Sequence, residues 1–233
     1  TPDGRITGGP MYYIQNGLNK KWLAKIFAFF GAFAAFGIGN MVQSNSIAEA
    51  LNVTFGANKL IVGIVCAVMT GIVVVGGIKR IGQVTEKLVP FMAAFYIIGA
   101  LIIVIANITH LPAALALIVK SAFTPVAATG GFIGSTVMLS MLYGIARGIF
   151  TNEAGLGSAP IAHAAATTDH PIRQGLWGVF EVFVDTIVIA TLTGLCIIVT
   201  GVWDSGLTAA ALTAEAFNSV IPTYGGWIVA IGL

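Results

Sequence analysis

The sequence predicts an all-α polytopic membrane protein, and three observations predict it. Charged residues make up only 9% of the 233 residues and hydrophobic ones 57%, at a mean hydropathy of +0.95. A soluble domain carries roughly 25% charge, so this chain lacks the polar groups to coat a water-facing surface. Its apolar stretches are long and unbroken, without the alternation of a barrel wall. In lipid every backbone N–H and C=O must be paired within the protein, which leaves helices. The third observation is the distribution of Lys and Arg between loops, which becomes readable once the elements are placed.

Residues 1–19 are polar, with Gly8-Gly9-Pro10 a breaker before the amphipathic Met11-Tyr12-Tyr13-Ile14. A first span is expected over about 22–46, continuing as a more polar helix to Leu51, and further spans over about 60–78 and 88–108. Residues 111–122 are apolar but too short to cross, and Pro112 and Pro125 bracket them, so they read as a re-entrant or interfacial helix. The fourth span is expected at about 131–167 and to be broken: its apolar run reaches Phe150, turns polar and glycine-rich over Thr151–Ser158, then resumes as a small-residue stretch. A fifth span is expected over about 176–199, a short helix over 207–221, and the start of a sixth span at 225–233. With no Met at its first position and an apolar run ending short of about 20 residues, the chain reads as part of one transmembrane domain, truncated at both ends.

This layout sorts the charges. With the start of the first span, about residue 22, on the cytoplasmic side, Arg5, Lys20, Lys21, Lys25, Lys79, Arg80, Lys87 and Arg173 all fall inside, and only Lys59 and Lys120 outside. That follows the positive-inside bias of membrane proteins. A net charge of +2 without a basic cluster argues against a nucleic-acid partner. Cys66 and Cys196 lie in apolar spans without ligand spacing and read as small hydrophobes.

Polar residues inside spans are costly and tend to be functional. The strongest group is Arg147-Gly148-Ile149-Phe150-Thr151-Asn152-Glu153-Ala154-Gly155-Leu156-Gly157-Ser158-Ala159-Pro160. Gly, Thr, Asn and Ser favour turns over helix interiors, so this segment reads as a discontinuous helix. Two half-helices joined by unwound backbone free carbonyls for a cation and offer a helix N-terminus to a carboxylate. The plain alternative is a loop capped by Asn152 or Thr151, but it leaves residues 159–168 too short to cross. A second group, Asn40, Gln43 and Ser44, shares one helix face at i, i+3, i+4 spacing. Gln43 can donate and accept toward a small zwitterion, or the group can serve as interhelical glue. A third group is Glu181 and Asp185, one turn apart. They read as structural partners of Arg147, in competition with Glu153, or as gating or proton-coupling groups. His163 reads as a hydrogen-bonded packing residue. No nucleophile with a base is in evidence, so the chain is not expected to be an enzyme, and the polar residues gather at too few depths for the rival reading, an ion or solute channel subunit.

At these residues the sequence resembles the alanine or glycine:cation symporter family, the sodium:alanine symporters. The motif Gly148–Ala164 carries the resemblance, supported by Gly8–Ile14, Gly39–Asn45 and Pro171–Asp185. The resemblance implies a fragment of the leucine-transporter-like inverted-repeat bundle, with 131–167 as the broken helix opening the second repeat and 207–221 an external helix. It implies alternating-access symport of alanine or glycine with Na⁺ (H⁺ being the other coupling ion to consider), in the lipid of the cell membrane and with no organic cofactor. By the same resemblance Gln43 and Phe150 would contact the substrate, with the backbone from Thr151 through Asn152 to Gly155 beside it.

Overall fold

A computed structural model describes residues 7–123, 142, 144, 145, 148, 150, 152, 153 and 155–232. The described residues form helices, turns and short connections, with no strand among them. In chain order the helices are α1 (Pro10–Gly17), α2 (Lys21–Phe55), α3 (Lys59–Val74), α4 (Gly77–Ala106), α5 (Leu111–Phe123), α6 (Ala159–His163), α7 (Pro171–Val199), α8 (Ala209–Val220) and α9 (Gly225–Gly232). Three of them, α2, α4 and α7, are long and apolar enough to cross a membrane.

The long helices run past their apolar windows. α4 starts at Gly77, well before the apolar run that begins at Leu88, because Lys79, Arg80, Glu86 and Lys87 are adequate helix formers on its exposed first turns. Its 30 residues extend about 45 Å at 1.5 Å per residue, more than the ~30 Å hydrocarbon layer. Pro90 sits inside it and can give no hydrogen bond to the preceding turn. α7 starts at Pro171, where His170 accepts the Ile172 N–H at 3.2 Å and proline occupies the first turn. α2 ends in a left-handed Gly56, whose N–H bonds the Asn52 carbonyl at 2.8 Å. Asn58 then caps α3, and an ion pair between Lys59 and Glu49 ties the two helices across this turn.

Two long helices depart from α geometry without stopping. Gly37–Met41 of α2 and Phe183–Ile189 of α7 are π turns. The first contains Asn40 of the polar group, and Gln43 and Ser44 lie in the α-helical turn that follows. Asn40 and Gln43 are exposed, and Ser44 turns its hydroxyl back to the Met41 carbonyl at 3.2 Å.

The core lies where α4, α5, α7, α8 and α9 meet, around Tyr96, Ile103, Cys196, Phe217 and Val229. Tyr96 stacks on Phe217 with ring centroids 5.4 Å apart and shares a 2.6 Å hydrogen bond with Thr193. Small residues let the helices close in: a Cβ on Gly99 would lie 2.7 Å from Ile228, and one on Gly226 2.6 Å from the Thr54 hydroxyl. This is the packing mode of helices in lipid, where backbone proximity replaces hydrophobic collapse. Cys196 is buried and lies 3.5 Å from the Ala100 carbonyl, and Cys66 is half-buried; both are free thiols.

Candidate functional site

The chain breaks its helical course where the glycines and polar residues gather. Leu142, Gly144, Ile145, Gly148, Phe150 and Asn152 have helical backbone, and the break begins at Glu153. Glu153, Gly155 and Gly157 take φ of 53°, 80° and 82°. Left-handed residues cannot propagate a right-handed helix, and three alternating ones stop it. Helical structure resumes at Ala159 with proline in the first turn. Glu153 is the one β-carbon-bearing residue of the three, and it has local compensation. Its carbonyl accepts the Leu156 N–H at 3.0 Å, and its carboxylate accepts the Ser158 hydroxyl.

The far side of the break is held in two directions. Toward the N-terminus, Gly157 packs so closely that a Cβ there would lie 2.6 Å from Pro10 and 2.9 Å from the Phe27 ring. Gly9 is equally close to Ile161, where a Cβ would come within 2.6 Å. The Gly8-Gly9-Pro10 breaker therefore seats the start of α1 against α6, which the spacing of these residues along the chain does not reveal. Toward α7, His163 bridges two residues: Gln174 Nε2 donates to its Nδ1 at 2.5 Å, and its Nε2–H faces Glu181 at 3.2 Å. The amide donor fixes the tautomer with the proton on Nε2. His163 is thus a hydrogen-bonded packing residue, and Glu181 is held by His163, a partner that sequence reasoning had not paired with it.

The remaining expected site residues fall as follows. Phe150 and Asn152 are half-buried in helical backbone, and Gly155 is exposed within the break. Thr151 and Arg147 lie outside the described residues. Gln43 is exposed on α2, and Asp185 is half-buried in the π turn of α7. No group of three or more His, Cys, Asp or Glu that could hold a metal ion occurs among the described residues.

A separate cavity of about 880 Å³ opens between α2, α4, α7 and α8, with Asn45, Ser46, Tyr96, Thr193, Thr208 and Thr213 supplying its polar lining. Among the described residues, none of the expected substrate contacts lines it; Val42 does, while its neighbour Gln43 does not. Sequence reasoning passed over Tyr96 and Thr193 because both lie in strongly apolar runs.

The family of the chain comes from comparison with known proteins. Residues 1–233 match the profile of the family described as "Sodium:alanine symporter family". The chain belongs to this family. Over 99% of its length it is 50% identical to the sodium/alanine symporter AgcS of Methanococcus maripaludis, of which it covers 52%. It is 41% identical to the probable sodium/glutamine symporter GlnT of Bacillus subtilis over 96% of this chain and 46% of that protein. A putative sodium/proton-dependent alanine carrier protein of the same organism, YrbD, is 39% identical over 99% of this chain and 50% of its own length. The chain spans about half the length of these relatives. The sodium:alanine symporter family and the three apolar helices together support a membrane location, and its named members here are transporters rather than enzymes.

Proposed function

We propose that this chain forms part of a secondary transporter that couples uptake of a small neutral amino acid, alanine or glycine, to a sodium gradient by alternating access. The observation that carries the reading is the left-handed break at Glu153, Gly155 and Gly157 between two helical stretches. Such a break exposes main-chain dipoles inside a protein that crosses lipid, where a carboxylate, an ammonium group and a small cation all need partners. The family's description and the sodium/alanine and sodium/glutamine relatives support sodium as coupling ion and an amino acid as cargo. Phe150 and Asn152, at the helical edge of the break, and Gly155 within it are the groups we assign to the substrate, with Thr151 between them and Gln43 on α2 toward its polar end. Arg147, Glu153, Glu181 and Asp185 are assigned structural or gating roles. In this reading α2 starts on the cytoplasmic side and the bundle is of the inverted-repeat, leucine-transporter-like kind. Binding of ion and amino acid shifts the balance between outward-open and inward-open states through differential affinity.

Uptake of labelled alanine into vesicles carrying the full-length protein tests the proposal. Saturable uptake that needs an inward sodium gradient supports it. Uptake driven by a proton gradient alone corrects the ion, and conductance without saturation replaces the carrier by a pore. Competition by unlabelled glycine, alanine and glutamine then ranks the cargo.

A further inference from the structure

The far side of the break takes its placement from its neighbours. α6 has five residues, and a helix so short has little stability of its own. Against the N-terminal segment it packs closely: a Cβ on Gly8 would collide with Ala164, as one on Gly9 would with Ile161. Apolar contacts of this kind set how near two segments come, but they are not directional. Against α7 the contact is polar, and His163 makes it.

Gln174, Gly178 and Glu181 follow at i, i+4 and i+7 in the regular α-helical part of α7, Pro171–Val182, so they share one face. The imidazole lies along that face. Gln174 Nε2 donates to its Nδ1 at 2.5 Å, and its Nε2–H donates to Glu181 Oε2 at 3.2 Å. A Cβ on Gly178, between them, would stand 3.8 Å from Nε2, so the ring rests over this glycine. Nearby charges do not compete for it. Arg173 pairs with Asp169 at 2.8 Å, and Asp185 lies one turn beyond Glu181 in the π turn, its Oδ2 without a hydrogen-bond partner. Bonds through both ring nitrogens fix the orientation of the ring, because hydrogen bonds weaken steeply as they bend. Only Ser158 separates α6 from Gly157, the last left-handed residue of the break, so a rotation of α6 is passed directly to the break.

We propose that His163 is a positioning residue for transport: its seat between Gln174 and Glu181 sets the angle at which α6 stands on α7, and so the shape of the break that faces the amino acid. This rests on the symport reading above, in which Gly155 and the backbone beside it receive the cargo. His163 acts through that backbone rather than by touching ion or amino acid.

The test uses the full-length protein in liposomes at saturating sodium and reads the half-saturating concentration of labelled alanine, which does not depend on how much protein is folded. His163→Phe keeps a ring but neither bond, and is expected to raise this concentration about fivefold or more. His163→Gln carries a donor at the reach of Nε2 and His163→Asn an acceptor at the reach of Nδ1, so each should shift it less than His163→Phe. Glu181→Leu should shift it in the same direction, Glu181→Gln, which keeps an acceptor oxygen, should shift it less, and adding Glu181→Leu to His163→Phe should bring little further change. Asp169→Asn, on the exposed ion pair, is the control and leaves the curve in place. Should His163→Phe fail to yield folded protein, the Gln and Asn variants and the Glu181 pair decide. Uptake that falls only in its maximal rate, with half-saturation unmoved in every His163 variant, overturns the proposal and leaves His163 a packing residue in a working symporter. Effects of His163→Phe and Glu181→Leu that add in full overturn it too, since the two would then act separately. Wild-type protein without saturable, sodium-dependent uptake removes the symport reading and this role with it.

Discussion

The helices of this protein depart from α geometry in two different ways. Within α2 and α7 the departure is a π turn: Gly37 keeps right-handed dihedrals (φ −85°, ψ −62°), and the helix runs on through it. At Glu153, Gly155 and Gly157 the departure is a change of sign in φ, and the helix stops. The two glycine-containing segments, Gly37-Ile38-Gly39 and Gly155-Leu156-Gly157, look alike on paper. Only the second needs glycine. A π turn widens the helix but leaves each residue in an allowed well, whereas a left-handed residue carries a steric penalty for any Cβ.

This contrast can be broken by adding one methyl group at a time, with stability of the full-length protein read from thermal unfolding in detergent. Gly157→Ala is expected to be the most damaging, by about 2–4 kcal/mol, since left-handed strain adds to overpacking against Pro10 and Phe27. Uptake should fall with it if the seating of α1 against the break matters for transport. Gly155→Ala meets no atom within 4 Å, so only strain remains and the loss should be about 1 kcal/mol. Equal effects at the two sites would show that packing against α1 contributes nothing. Tyr96→Phe removes the 2.6 Å bond that ties α4 to Thr193 beyond the second π turn, at a cost of about 1 kcal/mol. Thr193 keeps its 2.8 Å bond to the Ile189 carbonyl, which is why no larger loss is expected. Gly37→Ala should change sign and stabilise by about 0.5–1 kcal/mol, because the site is open and right-handed. A loss there would mean that the first π turn also depends on glycine. The smallest effect belongs to Lys59→Ala, whose pairing with Glu49 is partly exposed, at under about 1 kcal/mol.

Much of the architecture was legible because lipid leaves few options. Runs such as Leu176–Val199 carry too few polar groups to be anything but helix, and the break near Asn152 is announced by Gly155, Gly157 and the polar residues between apolar flanks. Helix ends were less legible. Hydropathy marks where a helix meets lipid, while hydrogen bonding marks where it stops, so α4 begins at Gly77 and α7 at Pro171. The π turn at Gly37–Met41 was likewise not legible, because a spacing pattern presumes a regular helix and carries no sign of the extra residue.

By itself, then, the order of apolar, basic and glycine-rich segments determined an all-helical membrane chain with an interruption after Phe150, since backbone pairing in lipid and the handedness of L-residues act locally. Which groups meet across the bundle was decided only in three dimensions. Gly9 against Ile161, His163 between Gln174 and Glu181, and Tyr96 on Thr193 join residues far apart in the chain or on different helices. So was the orphaned oxygen of Asp185, because whether a buried carboxylate finds a partner depends on its neighbours in space.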